Sequence, residues 1–198
     1  MDERALPQPV CPRPGPIRAP DELPPGPLYV FGYGSLLWRP GFEYRSRATA
    51  RIFGFHRALR VWSYHHRGTE DRPGLVLGLD TGGSCLGCVY EVAPALTRQV
   101  ADYLWEREMV TSVYTPRLVP THTPDGAVPA LTFVLDRTHT QYAGALSAPD
   151  AALHISGASG RSGPNPEYVR ETVAHLDELG VHDHGLAEVV RHLDCLRG

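Results

Sequence analysis

The chain has 198 residues, 42% of them apolar and 21% charged, with a formal net charge of −3. Those values describe an ordinary globular protein and offer no electrostatic case for binding nucleic acid or an anionic membrane. All 19 basic residues are Arg; without Lys there is no Schiff-base amine and no phosphate-loop Lys, which excludes both chemistries.

Residues 1–27 hold nine of the 19 prolines and read as a polyproline-like tail preceding one domain over 28–198. The N-terminus has no apolar stretch of the secretory kind, and no apolar run reaches the roughly 18 residues of a membrane span. The expected compartment is therefore the cytoplasm, with Cys11, Cys85, Cys88 and Cys195 as free thiols.

The first strand is Leu28-Tyr29-Val30-Phe31, ended by Gly32-Tyr33-Gly34-Ser35. Further strands are predicted at 50–64, 74–79, 85–93, 113–120 and 129–136. A helix follows Pro94 and runs to about Glu108. Another begins at Asn165-Pro166, read as an N-cap followed by Pro at the first helical position, and stops at Gly180. A last helix spans about 184–196. Strands fill the first two thirds and helices the last third, without regular alternation. The predicted class is α+β, with a largely antiparallel sheet or barrel.

Five stretches carry candidate chemistry. The Gly32–Ser35 turn presents consecutive backbone N–H groups suited to a carboxylate or a developing oxyanion, or is simply a tight strand end. Glu108 continues the helical stripe Leu96, Val100, Leu104, so a core-facing stripe leaves it partly desolvated at the helix C-terminal end. Both effects raise a carboxyl pKa, as a general base near neutrality requires. Glu106, roughly 200° away around the helix, faces solvent. The third stretch, His65–Thr69 with Arg72-Pro73-Gly74, is a surface hairpin, or lines a site through His66 or Arg72. The Cys85-x-x-Cys88 spacing falls in an alternating strand, which sends the two sulfurs to opposite faces and argues against a shared metal. His182, His184 and His192 are better explained by a helix cap and exposed positions than by a ligand set. The fifth stretch, Gly157–Tyr168, is a Gly-rich loop entering a helix, an anion site or merely a capped start.

Taken together, Val30-Phe31-Gly32-Tyr33-Gly34-Ser35-Leu36-Leu37-Trp38, His66-Arg67-Gly68-Thr69 with Pro73-Gly74, Leu104–Met109 with Tyr114, and Gly160–Tyr168 resemble the ChaC family of γ-glutamylcyclotransferases, most of all its bacterial members. The resemblance covers about residues 28–196 and implies a small mixed β-barrel with flanking helices. It implies cleavage of glutathione to 5-oxoproline and cysteinylglycine, an amide C–N lyase reaction with no cofactor, no metal and no obligate protein partner. The family's catalytic carboxylate falls on Glu108, and its substrate-binding loop on Val30, Phe31, Gly32, Tyr33, Gly34, Ser35 and Leu36. The family's site tyrosine falls on Tyr114. Members commonly carry glycine just before that tyrosine, where this chain has Thr111-Ser112-Val113. Two alternatives stay open: a cyclotransferase acting on another γ-glutamyl amine, and a non-catalytic γ-glutamyl-binding regulator.

Overall fold

A computed structural model describes residue 23 and residues 26–196; most of the Pro-rich segment lies outside the described residues. Five strands close into a barrel in the order β1-β3-β2-β4-β5. They are β1 (Leu28–Gly32), β2 (Ser46–Ser63), β3 (Gly74–Val92), β4 (Tyr114–Thr123) and β5 (Gly126–Leu135). All neighbours are antiparallel except β1–β5, which closes the barrel through Tyr29↔Ala130 and Val30↔Leu131, and a short β3–β5 contact at Leu79↔Val134. The α+β barrel expected from the sequence is the fold observed.

The predicted strands 74–79 and 85–93 are one 19-residue strand, β3. Gly82 and Gly83 have φ of +97° and +70°, which signals a turn in isolation. Opposite them Gly54 of β2 has φ +83°, and the register shifts between Phe53 and Phe55. The two strands bulge together and pairing resumes at Phe53↔Ser84. A bulge, not a turn, is what these glycines build.

Helix α1 (Thr97–Glu108) follows a 3-10 turn, Pro94–Leu96, and packs on the barrel through buried Val100, Ala101, Leu104 and Trp105. Trp105 meets Phe133 of β5 edge-on, with centroids 5.6 Å apart. Helix α2 (Ala148–Ser156) occupies a stretch to which the sequence reading gave no element. Its signals are short: Ser147 caps by accepting from Asp150 N, Pro149 lies in the first turn, and only Ala151, Ala152 and Ile155 are buried. A two-residue hairpin, β6 (Ser159–Gly160) and β7 (Gly163–Pro164), leads into α3 (Asn165–Glu178), and α4 (His184–Cys195) ends the fold.

Asn165 does not cap α3. It is the first helical residue, fully buried, and its side-chain amide grips the backbone of β3: Leu75 N donates to Oδ1 at 2.7 Å and Nδ2 donates to Leu75 O at 2.8 Å. The lone Asn thus pairs with a strand as a neighbouring backbone would. This fastens α3 to the barrel wall beside the site.

Candidate active site

A cavity of about 460 Å³ opens where the β1 exit, the end of α1, the start of β4 and the first turns of α3 converge. The 64–70 segment forms part of its mouth. Among the residues expected to form a site, Tyr33, Gly34, Ser35, Leu36, Glu108 and Tyr114 line it. Val30 and Phe31 are fully buried in the core, and their strand holds the loop from behind. Gly32 is confined because a Cβ there would sit 2.9 Å from Leu36 Cβ. Tight packing of the loop on itself therefore demands glycine at that position.

Three fastenings hold this loop. Buried Arg57 donates from Nε to Tyr33 O at 2.5 Å, and its other nitrogens reach Leu86 O and Asp183, the N-cap of α4. Tyr90 donates to Leu36 O at 2.7 Å. Arg107 donates to Ser35 Oγ at 2.7 Å and to Arg39 O at 2.8 Å. Beyond Gly34 the chain makes one 3-10 turn, Ser35–Leu37. The first N–H groups of a helix have no acceptor within it, so those of Ser35 and Leu36 are left for a ligand.

Glu108 ends α1 with its side chain 18% exposed, while Glu106 faces solvent. Burial pushes its carboxyl above the usual range, opposed by the Arg107 guanidinium, whose Nε lies 3.2 Å from Oε1. The negative end of the α1 dipole acts in the same sense as burial. Arg107 is thus the hinge of the site, touching both Glu108 and the loop. The sequence reading passed over it, although it directly precedes Glu108. Its significance lies in long-range contacts that spacing does not reveal.

Three phenols stand round the carboxylate. Tyr33 donates to Phe133 O at 3.1 Å, and Tyr114 donates to Leu77 O at 2.8 Å. Tyr168 accepts from Leu77 N at 3.3 Å. Burial raises the pKa of all three, that of Tyr168 to about 12, so each keeps its proton near neutrality. The Tyr33 and Tyr114 protons are committed to backbone carbonyls. The Tyr168 proton has no acceptor among the described residues, which leaves it available to a ligand oxygen. Tyr168 ends the Gly157–Tyr168 stretch, read as an anion site or merely a capped helix start; its phenol and Ser162 of the same stretch both line the cavity.

The His65–Thr69 stretch, favoured from sequence as surface, does double duty. His65 and His66 are exposed, yet both line the cavity mouth with Arg67. His66 Nδ1 lies 3.0 Å from Ser162 Oγ, and partial desolvation of its ring against the cavity wall, then His65 and nearby arginines, lower its pKa. Arg72 is absent from the lining; it lies against the end of α2, where a Cβ on Gly157 would collide with its guanidinium. Cys85 and Cys88 are buried and free. Cys88 Sγ accepts from Arg47 Nε at 3.3 Å, while Cys85 Sγ turns to Leu86 O. Among the described residues no three His, Cys, Asp or Glu converge as metal ligands, and no helix is long and apolar enough to cross a membrane.

A family model described as ChaC-like protein matches residues 28–195. The glutathione-specific γ-glutamylcyclotransferase of Escherichia coli (strain K12) is 36% identical over 172 residues, which cover 86% of this chain and 73% of that protein. Glutathione-specific γ-glutamylcyclotransferase 1 of Homo sapiens is 32% identical over 173 residues, covering 84% and 78%. The crystal structure of a yeast γ-glutamyl cyclotransferase specific to glutathione shares the fold, with a TM-score of 0.78 at 23% identity over 86% of this chain and 96% of that one. The barrel, the looped β1 exit and the matched 28–195 span agree: this chain belongs to the ChaC family of γ-glutamylcyclotransferases.

Proposed function

We propose that this protein is a glutathione-specific γ-glutamylcyclotransferase with Glu108 as its catalytic base. The observation that carries the reading is a carboxyl raised by burial, facing a cavity whose other wall is a loop with open N–H groups. Relatives that act on glutathione cover most of this chain at 32–36% identity, which supports the same substrate.

Glu108 takes a proton from the substrate α-ammonium. The freed amine attacks the γ-carbonyl of the same molecule and closes a five-membered ring. Tethering of the two reacting groups supplies an effective molarity of up to ~10⁵–10⁸ M, so neither a covalent enzyme intermediate nor a protein amine is needed. The oxyanion is held by the Ser35 and Leu36 N–H groups and by the unpaired Tyr168 proton. Protonated Glu108 then gives its proton to the departing nitrogen and the C–N bond breaks; the ring nitrogen passes its second proton by way of Glu108 to the released amine, which yields 5-oxoproline and cysteinylglycine. Buried or free Cys85, Cys88 and Cys195 fit a reducing compartment, which favours the cytoplasm.

Incubation of the purified chain with glutathione, with 5-oxoproline as readout, tests the reading. Glu108→Gln keeps the shape and removes the base, and its rate is expected to fall by at least ~10²-fold. A Glu108→Gln enzyme working at the wild-type rate would remove Glu108 from the mechanism. Tight glutathione binding by the wild-type chain without any turnover would favour the regulator instead.

A further inference from the structure

The site contains two arginines with opposite roles. Arg107 is heavily used: its nitrogens reach Glu108, Ser35 Oγ, Arg39 O, Pro40 O and Tyr103 Oη. It holds the machinery together, and only one Nη2 hydrogen has no acceptor among the described residues. Arg67 is nearly unused. Its guanidinium lies over the face of the Tyr168 ring, 5.1 Å from the centroid, and makes one hydrogen bond among the described residues, from Nη1 to Pro164 O at 3.3 Å. Most of its five N–H donors are therefore open, in a wall of the cavity that holds Glu108.

The backbone that carries Arg67 is unusually constrained. Arg67 N donates to Ser63 Oγ at 3.0 Å. The carbonyls of His65 and His66 accept from Arg161 N and Ser162 N at 2.8 and 2.9 Å, which sews the segment to the β6–β7 hairpin. A Cβ on Gly68 would run into Gly74 N, and one on Gly74 into Arg67 O. These glycines permit two chain segments to pack at backbone contact, and the result is a fork presented from a fixed base. An arginine spread on a ring face, with free coplanar donors, is preorganised for a carboxylate.

The cation that acts on Glu108 is Arg107, whereas Arg67 acts on Tyr168. Exposed lining residues, among them His65, His66, Glu70, Ser162 and Glu171, mark the mouth, where Arg67 is a cation set against the two carboxylates. Glu108 and Arg67 line the same cavity, so a γ-glutamyl substrate whose α-amine reaches Glu108 has room for its leaving portion on the Arg67 side. We propose that Arg67 is a specificity-determining residue that binds the terminal carboxylate of the leaving peptide, so that the protein selects γ-glutamyl peptides ending in a free acid. This rests on the cyclotransferase reading above and assigns the other end of the same substrate.

The experiment compares glutathione with its glycine-carboxyl ethyl ester, scoring 5-oxoproline from wild type, Arg67→Met and Arg67→Lys. Wild type is expected to favour the acid over the ester by about 10- to 100-fold in kcat/KM, the range for losing a charge-assisted hydrogen bond. Arg67→Met should abolish that preference, with a larger loss of kcat/KM on glutathione than on the ester, expressed chiefly in KM. Arg67→Lys, which keeps the charge without the fork, should keep part of it. The acid-to-ester ratio is internal to each variant, so partial loss of folded enzyme does not mimic the effect. An unchanged ratio in both variants overturns the proposal, as does an equal loss on both substrates, which would put Arg67 on the γ-glutamyl end. Wild type that makes no 5-oxoproline from either substrate overturns the cyclotransferase reading itself, and the subsite with it.

Discussion

Glu108 owes its proton affinity to two neighbours in competition, and each can be changed separately. Burial raises its pKa and the adjacent Arg107 guanidinium lowers it. Arg107→Met removes the opposing charge, so the pKa rises further. The acid limb of kcat/KM, where the base must be ionised, is expected to move to higher pH, as a pH–rate profile will register. The ester and acid substrates should move together in that variant. The same burial has a thermodynamic signature. A carboxyl whose folded pKa exceeds its unfolded value contributes stability at low pH that is lost as pH rises through the folded pKa. Glu108→Gln should therefore melt higher than wild type at neutral pH, with the gap closing below the unfolded carboxyl pKa. Thermal melts across pH 4 to 8 follow that gap. Helical spacing alone placed Glu108 at the end of a core-facing stripe. It said nothing of Arg107, because the acceptors at Ser35, Arg39 and Pro40 are about 70 residues away in sequence.

At the scale of elements, α3 illustrates how a local signal misled. Asn-Pro before an apolar run reads as a helix cap, yet the amide of Asn165 serves β3. Pro164 takes the capping position without any side-chain bond, and Pro166 keeps the helix start rigid. The lone Asn is thus a structural tie between helix and barrel, fully buried with both of its polar atoms used. Asn165→Ala would leave Leu75 N–H and C=O without partners in the interior. At about 1–3 kcal/mol for each unsatisfied group, a loss of about 3 kcal/mol is expected, read as a lower midpoint in urea with an unchanged slope. Tyr168 lies one turn further along α3, so catalysis should suffer too. Strand β3 misled in the other direction. Its Gly-Gly pair reads as a break, and only the matching bulge at Gly54 on β2 keeps the ladder going. In α1 the apolar stripe was long enough to be read correctly, whereas nine-residue α2, with three small or branched buried positions, was too short for periodicity to register.

Across the whole molecule, a second charged centre lies away from the cavity. Asp80 of β3 is buried and meets Arg60 Nε at 3.0 Å, Arg137 Nε at 2.5 Å and the Tyr142 hydroxyl at 2.9 Å. Burial raises its pKa, but the Arg137 and Thr81 hydrogen bonds, then Tyr142 and Arg60, outweigh it and leave the carboxyl below its ordinary value. A depressed folded pKa contributes stability above the unfolded pKa that is lost as pH falls through the folded one. Wild type is thus expected to weaken as pH drops below about 4, the ordinary carboxylate range. Asp80→Asn should flatten that slope in urea titrations between pH 2 and 6. Asp80 and Glu108 act in opposite directions, so the barrel clamp favours higher pH and the active site lower pH.

What the sequence by itself determined were the properties carried by neighbours along the chain. These are the mixed barrel class, the stripe that ends at Glu108, the glycine-marked loop after β1 and the order of motifs that identifies the family. They are legible because strand alternation, helical spacing and turn glycines act over a few residues. Only the tertiary structure decided which arginine braces the loop, which one keeps most of its donors open at the mouth, and which tyrosine keeps an uncommitted proton. Those properties depend on acceptors supplied by distant segments. The number of donors an Arg or Tyr retains for a ligand is whatever the folded chain has not already used.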